Sequence, residues 1–407
     1  MSELLADAIG RKTTLKRLIR ALHEGTDPEN AKKEAAGLLR TLTAEEIARI
    51  EGELVDEGMP REELERLCDV HLAVFQEALE REQAAAPPHH PIQILLREHE
   101  LLLDLAADLE AVVEEIAAAP DQEAASAPLQ RLRSIAGEFK ESENHYLREE
   151  NVLFPYLEKH GIVQPPAIMW SEHDRIRAIK KGFFAAVEAA DGTSLATLVP
   201  RLKEAAEALA TMLASHFHKE NNILFPTALR VLTEEEWENT IRQFGEIGYW
   251  KVVPPTTGQT RQEAPRTSAE AGREDVVSFE TGSLPLAALE PILNSLPVDI
   301  TFVDDQDQVR YFSNGKERVF PRATAIIGRK VQQCHPEKSV HVVNRILEDF
   351  RSGRRDTAEF WIQSGGRFIV IRYYAVRREG KYLGCLEVTQ DATGIRALEG
   401  EKRLLDG

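Results

Sequence analysis

The chain has 407 residues and an ordinary hydrophobic fraction of 43%, which predicts two or three globular domains rather than one or a disordered polymer. Its net charge of −18 divides as −7 over residues 1–86, −12 over 87–250 and +1 over 251–407, with no basic stripe, so no nucleic-acid partner is expected. No apolar run reaches the roughly 20 residues of a membrane span, no signal-peptide core opens the chain, and Cys68, Cys334 and Cys385 form no disulfide framework; a cytoplasmic protein without a membrane partner is expected.

Residues 1–86 read as a small helical unit. Asp27-Pro28 is a helix start, Thr43-Ala44-Glu45-Glu46 a capping box, and Gly58-Met59-Pro60 a break. The last helix carries Leu64, Leu67, Cys68, His71, Leu72, Phe75 and Leu79 on one face, where His71 reads as a packed core histidine rather than a ligand. Ala84–Pro91 is a proline-stopped linker; His89 is expected in solvent, and His90 has a conceivable ligand role.

Four long apolar-periodic segments follow, at about 92–118, 128–159, 165–190 and 195–230, then a shorter helix at about 233–246 opened by the capping box Thr233-Glu234-Glu235-Glu236. Their short connections predict an up-down four-helix bundle. Within it the chain writes one phrase twice. His145-Tyr146-Leu147-Arg148-Glu149-Glu150-Asn151-Val152-Leu153-Phe154-Pro155 is repeated as His216-Phe217-His218-Lys219-Glu220-Asn221-Asn222-Ile223-Leu224-Phe225-Pro226. Each copy is preceded, one helix earlier, by an acidic-flanked histidine: Glu98-His99-Glu100 and Glu172-His173-Asp174.

Residues four apart share a helix face, so His145 with Glu149, and His216 with Glu220, each present an imidazole and a carboxylate to the same side. With His99 and His173 from the other two helices, four nitrogens and two carboxylates would converge on two cations. Mixed imidazole and carboxylate ligation suits iron better than structural zinc. His218 falls on the opposite side of its helix and is expected exposed. Glu100, Glu150 and Glu172 are candidates to orient the rings, whereas Glu143 reads as surface charge. Asn151 and Asn222 are expected to bond locally, Leu153-Phe154 and Leu224-Phe225 to keep the pocket dry, and Pro155 and Pro226 to end or kink their helices.

The spacing differs from the Glu-x-x-His pairs of ferritin-like di-iron bundles. It resembles the hemerythrin-like (HHE cation-binding) family, whose motif is His, His-x-x-x-Glu, His, His-x-x-x-Glu over four helices. That resemblance implies two non-haem iron ions held by His99, His145, Glu149, His173, His216 and Glu220. Oxygen-carrying hemerythrins have one further histidine four residues after the third-helix one. Here that position is Arg177, which argues against simple oxygen carriage. The stretch Leu67-Cys68-Asp69-Val70-His71 resembles the domain-of-unknown-function family numbered 438, from which no mechanism follows.

Residues 251–282 are rich in Pro, Thr, Gly, Gln and charge and read as a flexible linker. From 283 to 400 the period changes. Strands at Val298–Val303 and Gln308–Phe312 flank the turn Asp304-Asp305-Gln306-Asp307, a helix follows at about 337–352, and then strands at Thr357–Gln363, Arg367–Val376 and Lys381–Gln390. This order, with the closing Leu386-Glu387-Val388-Thr389-Gln390-Asp391-Ala392-Thr393, resembles a PAS sensor domain, implying an α+β fold with a five-stranded antiparallel sheet. Cys334-His335-Pro336 offers a thiolate and an imidazole, so His335 is a candidate ligand for haem or another small molecule there; the competing reading is an ordinary histidine before a helix. Trp361 and Phe368 read as sheet-face aromatics. Residues 401–407 are a tail, and Leu398–Leu405 a candidate dimerising helix.

The combined expectation is a sensor in which a di-iron centre answers to oxygen, nitric oxide, peroxide or iron and redox state. The PAS-like domain would relay that answer to an unknown protein partner, in a homodimer built through the PAS-like domain or terminal helices. Two other readings stay open: a di-iron oxidoreductase acting on peroxide, oxygen or nitric oxide, and a protein that stores iron or delivers it for iron-centre repair.

Overall fold

The computed structural model describes residues 90–254 and 276–400, apart from 317, with seven isolated positions earlier in the chain. The expected helical unit at 1–86 with His71, the linker residue His89, most of the linker after 254 and the tail lie outside the described residues. The chain divides into two compact units, Met1–Pro255 and Thr256–Gly407.

The first unit is a helical bundle. Helix α1 runs Pro91–Ala118, with Leu95, His99, Leu102, Leu109 and Ile116 buried at helical spacing, so the histidine shares the face that the core claims. His90 serves as a helix cap: its Nδ1 accepts the Ile92 N–H at 3.2 Å, capping α1 ahead of Pro91, and its ring meets Trp237 edge-on. The second expected helix comprises α2 (Ser126–Glu141), α3 (Glu143–Arg148) and α4 (Phe154–Lys159), interrupted only at Ser142. Then come α5 (Gln164–Glu188), α6 (Leu195–Lys219), α7 (Phe225–Val231) and α8 (Glu234–Ile247). The capping box at Thr233 forms as expected, the hydroxyl taking the Glu236 N–H and Glu236 taking the Thr233 N–H.

Pro155 and Pro226 do not end the helices, which continue into Phe154–Lys159 and Phe225–Val231. Upstream of each proline the helix widens into a single π turn, at Glu149–Leu153 and at Glu220–Leu224. Phe154 N–H bonds to Glu149 C=O, and Phe225 N–H to Glu220 C=O, five residues back instead of four. A proline has no N–H to give the carbonyl four residues before it, and the wider turn accommodates that loss without breaking the helix. Asn151 and Asn222 do bond locally, to the carbonyls of Leu147 (2.9 Å) and His218 (2.7 Å).

Below the repeats the core is a continuous apolar cluster of side chains including Leu102, Leu109, Leu132, Phe139, Ile176, Phe183, Leu202, Leu209, Leu213 and Phe217. Burying each such leucine contributes roughly 2 kcal/mol, which holds the four long segments together and fixes the rotation of every helix about its axis.

The second unit opens with the hairpin β1 (Val276–Phe279) and β2 (Gly282–Pro285), so regular structure starts inside the stretch expected to be linker. Helix α9 (Leu286–Ser295) precedes β3 (Asp299–Asp304) and β4 (Val309–Phe312). Helix α10 (Glu337–Ser352) precedes β5 (Thr357–Ser364), β6 (Arg367–Arg378) and β7 (Lys381–Asp391), and the one-turn α11 (Thr393–Arg396) closes the described part. The sheet is antiparallel, five-stranded and ordered β4-β3-β7-β6-β5, with α10 packed on β6 and β7 around Val303, Leu347, Phe350 and Cys385. The α+β expectation holds. The hairpin at Asp304 forms because its carboxylate takes the N–H groups of Gln306 and Gln308, each at 2.9 Å.

Gly384 on β7 lies opposite Asp304 at φ +151°, and a Cβ there would sit 2.1 Å from the Val303 carbonyl oxygen. Gly384→Ala is therefore expected to destabilise this unit by about 3 kcal/mol or more. Amide hydrogen exchange would register it as lost protection in β3 and β7 with the helical bundle unaffected.

Candidate metal centre

The six residues singled out by the repeat meet at one place. His99, His145, Glu149 and Glu220 offer ligand atoms that all lie within 4.8 Å of one another, and so do Glu149, His173, His216 and Glu220. Glu149 and Glu220 belong to both sets. Their carboxylates therefore lie between the two imidazole pairs, as bridging ligands of a two-cation site would. Glu220 Oε2 is 3.1 Å from His99 Nε2 and its Oε1 3.2 Å from His216 Nε2; Glu149 Oε2 is 3.4 Å from His173 Nε2 and 3.6 Å from His145 Nε2. All six side chains are buried.

The fit to cations rests on what these atoms lack. The Nε2 atoms of all four histidines and both oxygens of each glutamate are sealed from solvent, yet none makes a directed hydrogen bond. Eight orphaned polar atoms in one buried spot would cost several kcal/mol as a packing arrangement. As a ligand set they need no other partner.

The outward ring nitrogens are fully engaged. His145 Nδ1 meets Glu98 Oε2, His173 Nδ1 meets Glu150 Oε1, His216 Nδ1 meets Glu172 Oε2 and His99 Nδ1 meets Asn221 Oδ1, each at 2.8 Å. An Nδ1–H donated to an oxygen leaves the Nε2 lone pair pointing into the pocket, the tautomer a metal requires. Each of the three carboxylates is clamped in turn by a cation. Arg148 binds Glu98 at 2.7 Å, Arg177 binds Glu150 at 2.8 Å, and Lys219 binds Glu172 at 2.7 Å.

Burial alone would raise the acidities of these carboxyls, but their partners prevail. Hydrogen bonding and charge from His145, with Arg148, hold Glu98 below the usual carboxylate range; His216 and Lys219 do so for Glu172. The charge of Arg177, with His173, does so for Glu150. At the centre burial again opposes charge, and Glu220 is nonetheless held far below that range by His216, His173 and His99. The pocket is built to attract positive charge.

Glu150 and Glu172, candidates to orient the rings, do so. Glu100 does not: it is exposed and pairs with Arg97. Glu143 is half-buried and accepts from Arg177 Nε at 2.7 Å, so it is more than surface charge. Glu98, Arg148, Lys219 and Asn221 escaped the sequence reading. The signal was present, since Glu98 and Glu172 occupy matching places in the two triplets, as do Arg148 and Lys219 in the two long phrases. Phe154 stacks on His173 and Phe225 on His99, and Leu153 and Leu224 are buried, closing the pocket to water. His218 is exposed, as expected.

In the α+β unit, His335 is half-buried with its Nδ1 on the Val331 carbonyl at 2.8 Å, and burial lowers its basicity. Among the described residues no metal-ligating group of three or more forms around it. Trp361 is 63% exposed on the edge strand β5, and Phe368 lies under Arg396.

Three family models match separate parts of the chain. Residues 90–228 match the family model of the hemerythrin HHE cation binding domain, 289–393 that of a PAS domain, and 15–81 that of a family of unknown function (DUF438). The chain thus carries a helical bundle similar to the hemerythrin HHE cation binding domain, followed by an α+β unit similar to a PAS domain. No curated protein matches it. Among solved structures it is similar to the C-terminal domain of a protein from Streptococcus mutans, at 35% identity over 31% of this chain and 100% of that one, with a TM-score of 0.30. The sensor region of a sensor histidine kinase matches at 15% identity over 24% and 40% of the two chains, with a TM-score of 0.19. No described helix is long and apolar enough to cross a membrane.

Two predictions follow from the outer groups. Glu172→Gln removes the charge that orients His216 while keeping its shape, and should weaken metal binding by 10- to 100-fold in a chelator competition. Lys180 is buried beside Glu143 and over the Tyr146 ring, and burial brings its amine down to about 8 from 10.5. Between those pH values the unfolded chain holds a proton that the folded one has lost, so stability should rise with pH there. Melting temperatures across that window should show the wild type gaining relative to Lys180→Met.

Proposed function

We propose that the bundle holds a non-haem di-iron centre and that the chain is a sensor. The centre would respond to oxygen, nitric oxide, peroxide or iron and redox state, and the PAS domain would pass the response to a protein partner. The observation that carries this reading is the set of six buried ligands whose inward atoms have no other partner. The donors are imidazole and carboxylate with no thiolate, a set that suits iron rather than a closed structural zinc site. Iron held there would supply reversible binding or reduction of a small ligand.

The chain's own contribution is positional. His99 and His145 would serve one ion, His173 and His216 the other, and Glu149 and Glu220 both. Glu98, Glu150, Glu172 and Asn221 hold the rings in the metal-binding tautomer. Arg177 is engaged by Glu143 and Glu150, which would leave the place of a seventh protein ligand to an outside molecule. A metal centre that controls a PAS domain accounts for both modules without requiring turnover.

Iron analysis on protein purified without oxygen should find two ions per chain. The double variant His145→Ala with His216→Ala should lose most of that iron while keeping its helical circular dichroism; unchanged stoichiometry would overturn the assignment. Sustained consumption of peroxide or nitric oxide by the reduced, loaded protein would make it an oxidoreductase instead of a sensor.

A further inference from the structure

The duplicated phrase is not symmetric in its chemistry. Position 146 matches 217, 150 matches 221, and 177 lies four residues after His173 as Leu103 does after His99. Phe217 stacks on His99 with centroids 4.0 Å apart. Its counterpart Tyr146 packs on His173 at 4.8 Å and is 6.5 Å from His216. His99 is oriented by a neutral amide, Asn221, and His173 by a carboxylate, Glu150. Leu103 is exposed, whereas Arg177 pairs with Glu150 and lies over the Tyr146 ring. All three departures surround His173.

Of these differences the tyrosine oxygen is the one without a structural explanation. Tyr146 is 1% exposed, and its hydroxyl is sealed from solvent with no hydrogen-bond partner, although phenylalanine occupies the matching place in the other half. A buried hydroxyl left unpaired costs about 1–3 kcal/mol, so a purely packing role would favour the plain ring. We propose that the Tyr146 hydroxyl is the hydrogen-bond donor to a small anionic ligand bound at the His173/His216 ion, which makes the two halves of the duplicated site unequal. This rests on the di-iron reading. The ligand takes a position on that ion, the phenol O–H donates to it, and the phenylalanine on the His99 side offers nothing equivalent.

Azide is the probe, added to the oxidised, iron-loaded full chain and followed by its absorption and its vibrational band in H2O and D2O. Tyr146→Phe should keep two irons per chain and the same helical content. Its azide dissociation constant should rise about 10- to 100-fold, the worth of one hydrogen bond to a charged group, and the deuterium sensitivity of the band should disappear. Adding Phe217→Tyr to that variant should not restore either property. Unchanged affinity and isotope sensitivity in Tyr146→Phe would overturn the proposal, as would rescue by the residue 217 hydroxyl. An iron–phenolate absorption before azide is added, lost in Tyr146→Phe, would also overturn it by making Tyr146 a ligand itself. Failure of the wild type to load two irons would instead bring down the di-iron reading beneath it.

Discussion

Two carboxylates at the centre of a helical bundle set the terms for everything around them. Glu149 and Glu220 are fully buried, and their oxygens have no hydrogen-bond donors. Unpaired charges in that position are among the most expensive arrangements a protein can adopt. The neighbouring imidazoles cannot relieve this as neutral donors, because their Nδ1–H groups are already committed outward. What remains is positive charge, from a second proton on the rings or from cations bound between them, and the surrounding layers prepare for it. The three outer carboxylates, each with its own cation, are close to neutral as pairs, so the attraction is focused on the centre and not spread through the bundle.

The apolar cluster below the site has a related role. Directing four histidines at one point requires each helix to be fixed in rotation, and the leucine and phenylalanine faces of α1, α5 and α6 do that. A slip of one residue turns a helix by about 100° and would carry its ligand out of the pocket. Packing thus specifies the site more strictly than it needs to for stability alone.

The convergence of the six inner side chains was legible in the sequence because two constraints coincide there. Spacing by four puts His145 and Glu149 on one face, and a second copy makes accident implausible. The outer partners were harder to read. Glu98 and Glu100 flank the same histidine and are indistinguishable as letters; only the rotation of α1 decides that Glu98 turns inward while Glu100 meets Arg97. Arg148 and Lys219 looked like solvated charges, since long basic residues usually are, and burial became plain only with their carboxylates in view. The prolines were read by their local rule, which forbids a regular helix but leaves open whether the chain breaks or widens. The hairpin before α9 was missed because its residues carry no clear alternation. In the α+β unit, by contrast, the succession of strands along the chain and the Asp304 turn followed from period and turn chemistry, and the five-stranded antiparallel sheet from the resemblance to PAS domains.

The widened turns have an effect on how the site is insulated from its own helices. A π turn acts as one extra residue in the winding, so the apolar stripe before Glu149 does not continue in phase into α4, and the same is true from Glu220 into α7. The shift brings Phe154 and Phe225 around onto the rings of His173 and His99. Glu149 and Glu220 therefore each sit at a seam between two helical phases, one dictated by the bundle core and the other by the lid of the pocket. Removing a single residue at either seam would merge the phases, leaving the bundle intact while swinging the aromatic cover away from the metal site.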